Sequence, residues 1–230
     1  MDFERAAINA VQTTWPNAQV TGCFFHLNQN IWKKIKELGL SNFYGEDVGN
    51  TTKLKMISAL AFVPLGDVIN SWEQLLVILQ PWIQQQTQDI QNRIDDLLMY
   101  FEANYIGSNI AGVRRVPRVA AIDIWNVRMR TLDHYGRTDN EVEGFHIKVS
   151  HTLGAQFSNL WKFFKGLQGL QVETSKLIEE LNAGVIGRKQ RPAYIRLAER
   201  IANVTATWPI RPNLETFLSG ISHNFYYGGH

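Results

Sequence analysis

Four groups of side chains in this sequence have the types and spacing to do chemistry. Asp2 and Glu4 stand close together; Cys23 and His26 are spaced C-x-x-H; Asn140, Glu143 and His146 recur at three-residue steps; and two runs of Arg and Lys lie at 114–130 and 188–200, with Trp125 and Tyr194 among them. Carboxylates from separate elements can hold a divalent cation through hard oxygen ligands. A thiolate and an imidazole are two of the four ligands a structural zinc takes. The chain has only one cysteine, so the set is short and zinc is not expected. Each group also has a plainer reading. Asp2 and Glu4 suit the positive end of a helix, as does Glu143 in a first helical turn. Cys23 and His26 suit a buried thiol beside a hydrogen-bonded imidazole. The basic runs suit solvated faces, although they would also neutralise phosphates.

These groups must be positioned by the elements around them. Phe3, Ala6, Ala7, Ala10 and Val11 fall on one helical face, which predicts a helix ending near Trp15-Pro16. Gln19 to Phe25 is short, β-branched and aromatic, and apolar on both faces, which predicts a buried strand carrying Cys23 and His26 at its end. Ile31, Ile35 and Leu38 predict a helix with Lys33, Lys34 and Lys36 outward, closed by a left-handed Gly39.

From Tyr44 to Gly112 the pattern is helical throughout. One stripe runs through Val68, Ile69, Trp72, Leu75, Leu76 and Leu79, another through Ile90, Ile94, Leu97, Leu98, Phe101 and Tyr105, with breaks at Pro64 and Pro81. Trp125, Met129 and Leu132 predict a further helix, followed by a turn at HYGRTD. Thr138 to Glu141 forms a capping box, which gives Glu141 a structural role and leaves Asn140, Glu143 and His146 sharing a side. Phe157, Leu160, Trp161, Phe164 and Leu167, then Leu177, Ile178 and Leu181, predict long apolar helix, before a basic and aromatic tail. The expected divisions are 1–43, 44–118, 119–184 and 185–230.

Composition narrows the class. With 45% hydrophobic residues, 12 Phe, 7 Trp and 7 Tyr, the 230 residues can bury a real core, so disorder is not expected. No apolar run approaches the roughly 20 residues of a membrane span, so no membrane partner is expected. The single cysteine and the lack of a basic-then-apolar leader argue against secretion. The net charge of +2 makes no global case for a nucleic-acid partner, and any such case is local.

The local case comes from six blocks in order: DFE at Asp2 to Glu4, GCFFHLNQ at Gly22 to Gln29, ALAFVP at Ala59 to Pro64, YFEANYIG at Tyr100 to Gly107, WNV at Trp125 to Val127, and RTDNEVEGFH at Arg137 to His146. Over about Asp2 to Leu170 the sequence resembles the transposase domain of Mutator-like elements. The resemblance implies a nuclear protein whose partner is DNA, not a small molecule. It implies metal-dependent DNA cleavage and strand transfer by an Asp, Asp, Glu triad holding two Mg²⁺ or Mn²⁺ ions. Asp2 matches the second aspartate and Glu143 the glutamate, as catalytic residues and metal ligands. Cys23, His26, Asn140 and His146 match groups that steady those ligands or position DNA. Trp72 or Trp82 matches an aromatic that holds an unstacked base, and Arg114, Arg115 and Arg118 form a DNA-binding connector.

The implied fold is α/β and strongly helix-rich, an incomplete ribonuclease H-like core interrupted by an all-α insertion. In the family the first aspartate and its strands precede the DFE, and here the DFE opens the sequence. The expectation is therefore a fragment that neither holds metal stably nor cuts DNA alone, whose lone strand forces a rearranged fold, an open edge or pairing with another copy. The alternative is a domesticated, non-enzymatic DNA-binding or interaction module.

Overall fold

The computed structural model describes residues 3–137, 140–153, 160–184, 192–211 and 213–227, with the backbone alone for 140–146. Among them helix dominates, and the sheet is a two-stranded antiparallel hairpin. The chain divides into two compact units, Met1–Thr138 with Arg196–His230, and Asp139–Ile195.

In the first unit, α1 (Arg5–Thr14) ends where Trp15-Pro16 requires, but it buries Ile8 and leaves Ala6 and Ala10 exposed. The predicted strand is not formed. Residues 19–23 run as irregular chain, and α2 (Phe24–Glu37) begins where the strand was to end, burying Phe24, Leu27, Ile31 and Ile35. That three- and four-residue spacing reaches back to Phe24, so the apolar run is the first turn of a buried helix. Its extended lead-in satisfies its backbone without a sheet: Gly22 N donates to Ile124 O at 2.7 Å and Phe24 N to Arg137 O at 2.9 Å. Gly39 ends α2 at φ 69°, as expected.

At the centre of this unit is α4 (Val48–Ala59), which follows the short α3 (Ser41–Glu46) and is capped by the Asp47 carboxylate accepting from Asn50 N at 2.9 Å. From Leu54 to Ala59 every residue of α4 is buried, which is why it shows no apolar stripe. Next come α5 (Val68–Gln84) and α6 (Gln88–Phe101), whose stripes meet as expected, with Trp72 and Phe101 rings 5.4 Å apart. Pro81 does not break α5: the helix continues to Gln84. Arrangements α11 (Pro192–Ala206) and α12 (Leu214–Ser222) lie in the segment read as tail, and Ile201, Phe217, Leu218 and Ile221 join the core.

The second unit is built on α9 (Asn140–Leu153) and α10 (Leu160–Asn182). They approach closely at Gly166, where a β-carbon would stand 2.6 Å from Leu153 Cδ2, and Lys148 pairs with Glu173.

Candidate nucleic-acid interface

The arm that carries the connector arginines starts from an irregularity in α6. Beyond Phe101 the helix widens into a π-turn, Glu102–Ile106, closed by Gly107 N donating to Glu102 O at 2.7 Å. A π-turn releases carbonyls from the helical ladder. Here the returning chain takes them up: Ala103 O accepts from Arg118 N at 3.0 Å, Asn104 O from Val119 N at 3.0 Å, and Tyr105 O from Trp125 Nε1 at 2.8 Å. Tyr105 itself is fully buried, its hydroxyl accepts from Asn30 Nδ2 at 3.1 Å, and burial first, then neighbouring Tyr100, pushes its pKa up.

Between the π-turn and its return stands a hairpin of β1 (Asn109–Ile110) and β2 (Val113–Arg114), turned by Ala111 and Gly112, both at positive φ. The arm is hinged tightly at Gly107, where φ is 95° and an added β-carbon would stand 1.9 Å from Arg115 O. Successive side chains of a strand point to opposite faces, which turns Arg114 away from exposed Val113. Arg114 turns inward: its Nη1 donates to Gly107 O at 2.7 Å and its Nη2 meets Glu73 Oε1 at 2.7 Å, with Glu102 Oε1 at 3.4 Å. Arg115 and Arg118 are exposed, and no ion pair among the described residues engages them. Ile110, Val113 and Val116 beside them are exposed by half or more. The result is an arm with an apolar tip and a basic root. Arg5 Nη1 reaches Arg118 O at 3.0 Å and ties α1 to that root.

Five of the six blocks read from the sequence meet in the first unit beside this arm. Phe3 lies 5.9 Å from Tyr105 and covers Gly22, where a β-carbon would strike its ring at 2.4 Å. Phe24 packs on Phe62 at 5.0 Å, and Trp125, in the short α7 (Ile122–Trp125), on Phe101 at 5.8 Å. Asn126 Nδ2 donates to Val63 O at 2.8 Å and Val127 N to Ala61 O at 2.8 Å. Arg128 opens α8 (Arg128–Leu132) and spans Phe62 O and Thr205 O at 3.1 and 2.9 Å. Arg130 Nη2 donates to Gly22 O at 2.6 Å, and burial first, Arg130 second, holds the Arg137 guanidinium below its ordinary pKa.

The expected site residues are placed as follows. Cys23 is buried at the position preceding α2, and His26 lies half-buried in the first turn of that helix, not at a strand end. Trp72 is 1% exposed, and stacking on a base needs an open ring face that it lacks. Trp82 is half-buried against Phe43 and donates from Nε1 to Asn50 Oδ1 at 3.1 Å. Asp2 lies outside the described residues, as do the side chains of Asn140, Glu143 and His146 on α9 and the capping residues Thr138 and Asp139. Among the described residues no three of His, Cys, Asp or Glu gather where a metal could be held, and the expected ligands Asp2 and Glu143 are not among them. No described helix is long and apolar enough to cross a membrane.

Sequence reasoning missed the hairpin and Arg5. The signal for the hairpin was present: Ala-Gly between the β-branched Ile110 and Val113 is a short turn sequence. No family model, no curated protein and no solved structure matches the chain.

Proposed function

We propose that this chain is a piece of a Mutator-like transposase that holds DNA through the arm at residues 107–118. The observation that carries this reading is the sorting of the arm's three arginines, with Arg114 consumed by Glu73 and Glu102 while Arg115 and Arg118 face outward without acid partners among the described residues. A two-stranded ribbon fits a major groove, and guanidinium groups at its root pair with phosphates. The packing of the DFE, GCFFHLNQ, ALAFVP, YFEANYIG and WNV blocks into one body supports taking the resemblance as a whole.

The parent chemistry is metal-dependent strand transfer on a ribonuclease H-like sheet. The sheet among the described residues is a two-stranded hairpin. The function proposed for these 230 residues is therefore binding through phosphates, independent of Mg²⁺. Fluorescence anisotropy of labelled duplex, with and without EDTA, tests it. Binding that weakens with salt and survives EDTA is expected; binding abolished by EDTA contradicts it. The second reading, an interaction module, is favoured by the exposed apolar face of α10.

A further inference from the structure

Beyond α12 the chain crosses α4 as a short strap, Phe225 to Tyr227, without helix or strand. No backbone–backbone bond among the described residues engages these three residues, so side chains hold the strap in place. Tyr227 is the anchor. Its ring, 5% exposed, stacks on Tyr44 of α3 at 5.7 Å. Its hydroxyl donates to Leu54 O of α4 at 3.3 Å and lies 2.5 Å from Ser58 Oγ. Phe225 packs edge-on against Phe24 of α2 at 5.2 Å.

Beneath the strap lies a charge that opposes its closing. Lys55 is buried on α4 with Nζ 5.1 Å from the Phe225 ring centroid and 4.7 Å from that of Tyr226. A ring face replaces only part of the hydration an ammonium loses, and burial pulls this amine's pKa down to about 8. Its ionisable surroundings do not compensate. The strap faces it with the Tyr226 phenol, while burial raises the pKa values of Tyr44 on α3 and Tyr227, so both stay neutral. On α12, Glu215 is paired with Lys53 and His223 lies 3.5 Å from Ser219 Oγ; no ion pair among the described residues reaches Lys55. With the strap lifted, Lys55 returns to water and to an ordinary pKa near 10.4.

We propose that Phe225 to Tyr227 form a latch that opens while the rest of the first unit stays folded, closed by Tyr227 in its slot and pushed open by the charge on Lys55 beneath it. Between about pH 8 and 10.4 the open form binds one proton more than the closed form, so closure strengthens as pH rises. From pH 7 to 9.5 the closed-to-open ratio grows about 25-fold, and well below pH 8 the dependence ends because Lys55 is charged in both forms. Opening bares an aromatic-walled slot with Leu54 O and Ser58 Oγ at its end. This inference is independent of the DNA-binding reading.

Thiol labelling of the full chain tests it. Ser58→Cys places a thiol at a fully buried position under Tyr227, and the native Cys23, also buried, reports opening of the body. Each iodoacetamide rate is divided by that of the same thiol in the urea-unfolded chain at the same pH, which removes the effect of thiol ionisation. The thiol at position 58 should label about 10-fold or more faster than Cys23, at a rate unmoved by low urea because a local opening exposes little surface. That rate should fall about 25-fold from pH 7 to 9.5. Adding Lys55→Met should make it slow and flat with pH; adding Tyr227→Ala should make it fast and flat at unchanged helical circular dichroism. Labelling of both thiols in step, rising together with urea, would mean the strap moves only with the body and would overturn the inference. So would a rate at position 58 that ignores pH in the Ser58→Cys protein, or protection that persists in a folded Tyr227→Ala variant.

Discussion

Gly107→Ala is the perturbation that separates the arm from the body most cleanly. At φ 95° an alanine costs about 1–3 kcal/mol of backbone strain. Its β-carbon would stand 1.9 Å from Arg115 O, so the two chains must part by about 1.5 Å to reach an ordinary 3.4 Å contact. That movement loosens Arg114 Nη1 on Gly107 O and Arg115 N on Ser108 O, now 2.7 and 2.9 Å. The first is charge-assisted, about 1.5–3 kcal/mol, and the second about 1 kcal/mol. The sum is about 3.5–7 kcal/mol, whose low end already lowers the melting temperature by about 10 °C in a chain of this size. If the arm detaches without global melting, trypsin should cut after Arg115 and Arg118 many times faster. Gly45→Ala is the control: nothing lies within 4 Å of its β-carbon and its φ is not positive, so it should be neutral or stabilising. A Gly107→Ala protein that melts within 1 °C of the parent and resists trypsin equally refutes the reasoning, on the error scale of such a comparison.

Lys55 is 3% exposed, with its ammonium 5.1 and 4.7 Å from the Phe225 and Tyr226 rings, and burial pulls its pKa down to about 8. Between pH 8 and about 10.4 the unfolded chain binds one proton more than the folded one, so stability rises with pH across that window. Lys55→Met should therefore be more stable than the parent at pH 7 by about 1–3 kcal/mol, the ring contacts offsetting part of the burial penalty, with the gap closing towards pH 10 in urea denaturation. A less stable Met variant, or a gap independent of pH, counts against this. Trp125→Phe removes the donor to Tyr105 O and should cost about 1–3 kcal/mol, whereas Trp15→Phe, at a 61% exposed position, should cost nothing measurable in the same denaturation assay. Equal effects would contradict the role given to the π-turn.

Much of the helix layout was readable because apolar period and stop signals agree there. The ends of α1, the Gly39 close of α2, and the α5 and α6 stripes all follow from spacing. Gln19 to Phe25 misled because a short run apolar on every side fits both a buried strand and the entry to a buried helix, and here Leu27 and Ile31 settle it for helix from Phe24 onward. Pro81 misled because α5 has enough buried side chains, Leu79 and Ile83 on either side of it, to outweigh one lost backbone bond. The basic connector was visible as composition, but its division into one inward and two outward arginines depends on the hairpin register. Ile110 pairs with Val113 and Asn109 with Arg114 across a turn that no hydrophobic periodicity marks. The motif blocks were readable as blocks. Their meeting point was not, because the bonds that join them run from side chains of Trp125, Asn126 and Arg128 to backbone carbonyls 20, 63 and 66 residues away.

The salt dependence of DNA binding by Arg115→Ala/Arg118→Ala, beside the parent and Arg114→Ala, tests the central claim most directly. Each phosphate contact contributes about 0.9 to the slope of log K against log salt, so the double variant should lose about 1.8 of that slope and bind weakly. Arg114→Ala should lower stability through Glu73 and Glu102 before it changes the slope. A double variant with the parent's affinity and slope, or a parent that does not bind DNA at low salt, contradicts the account.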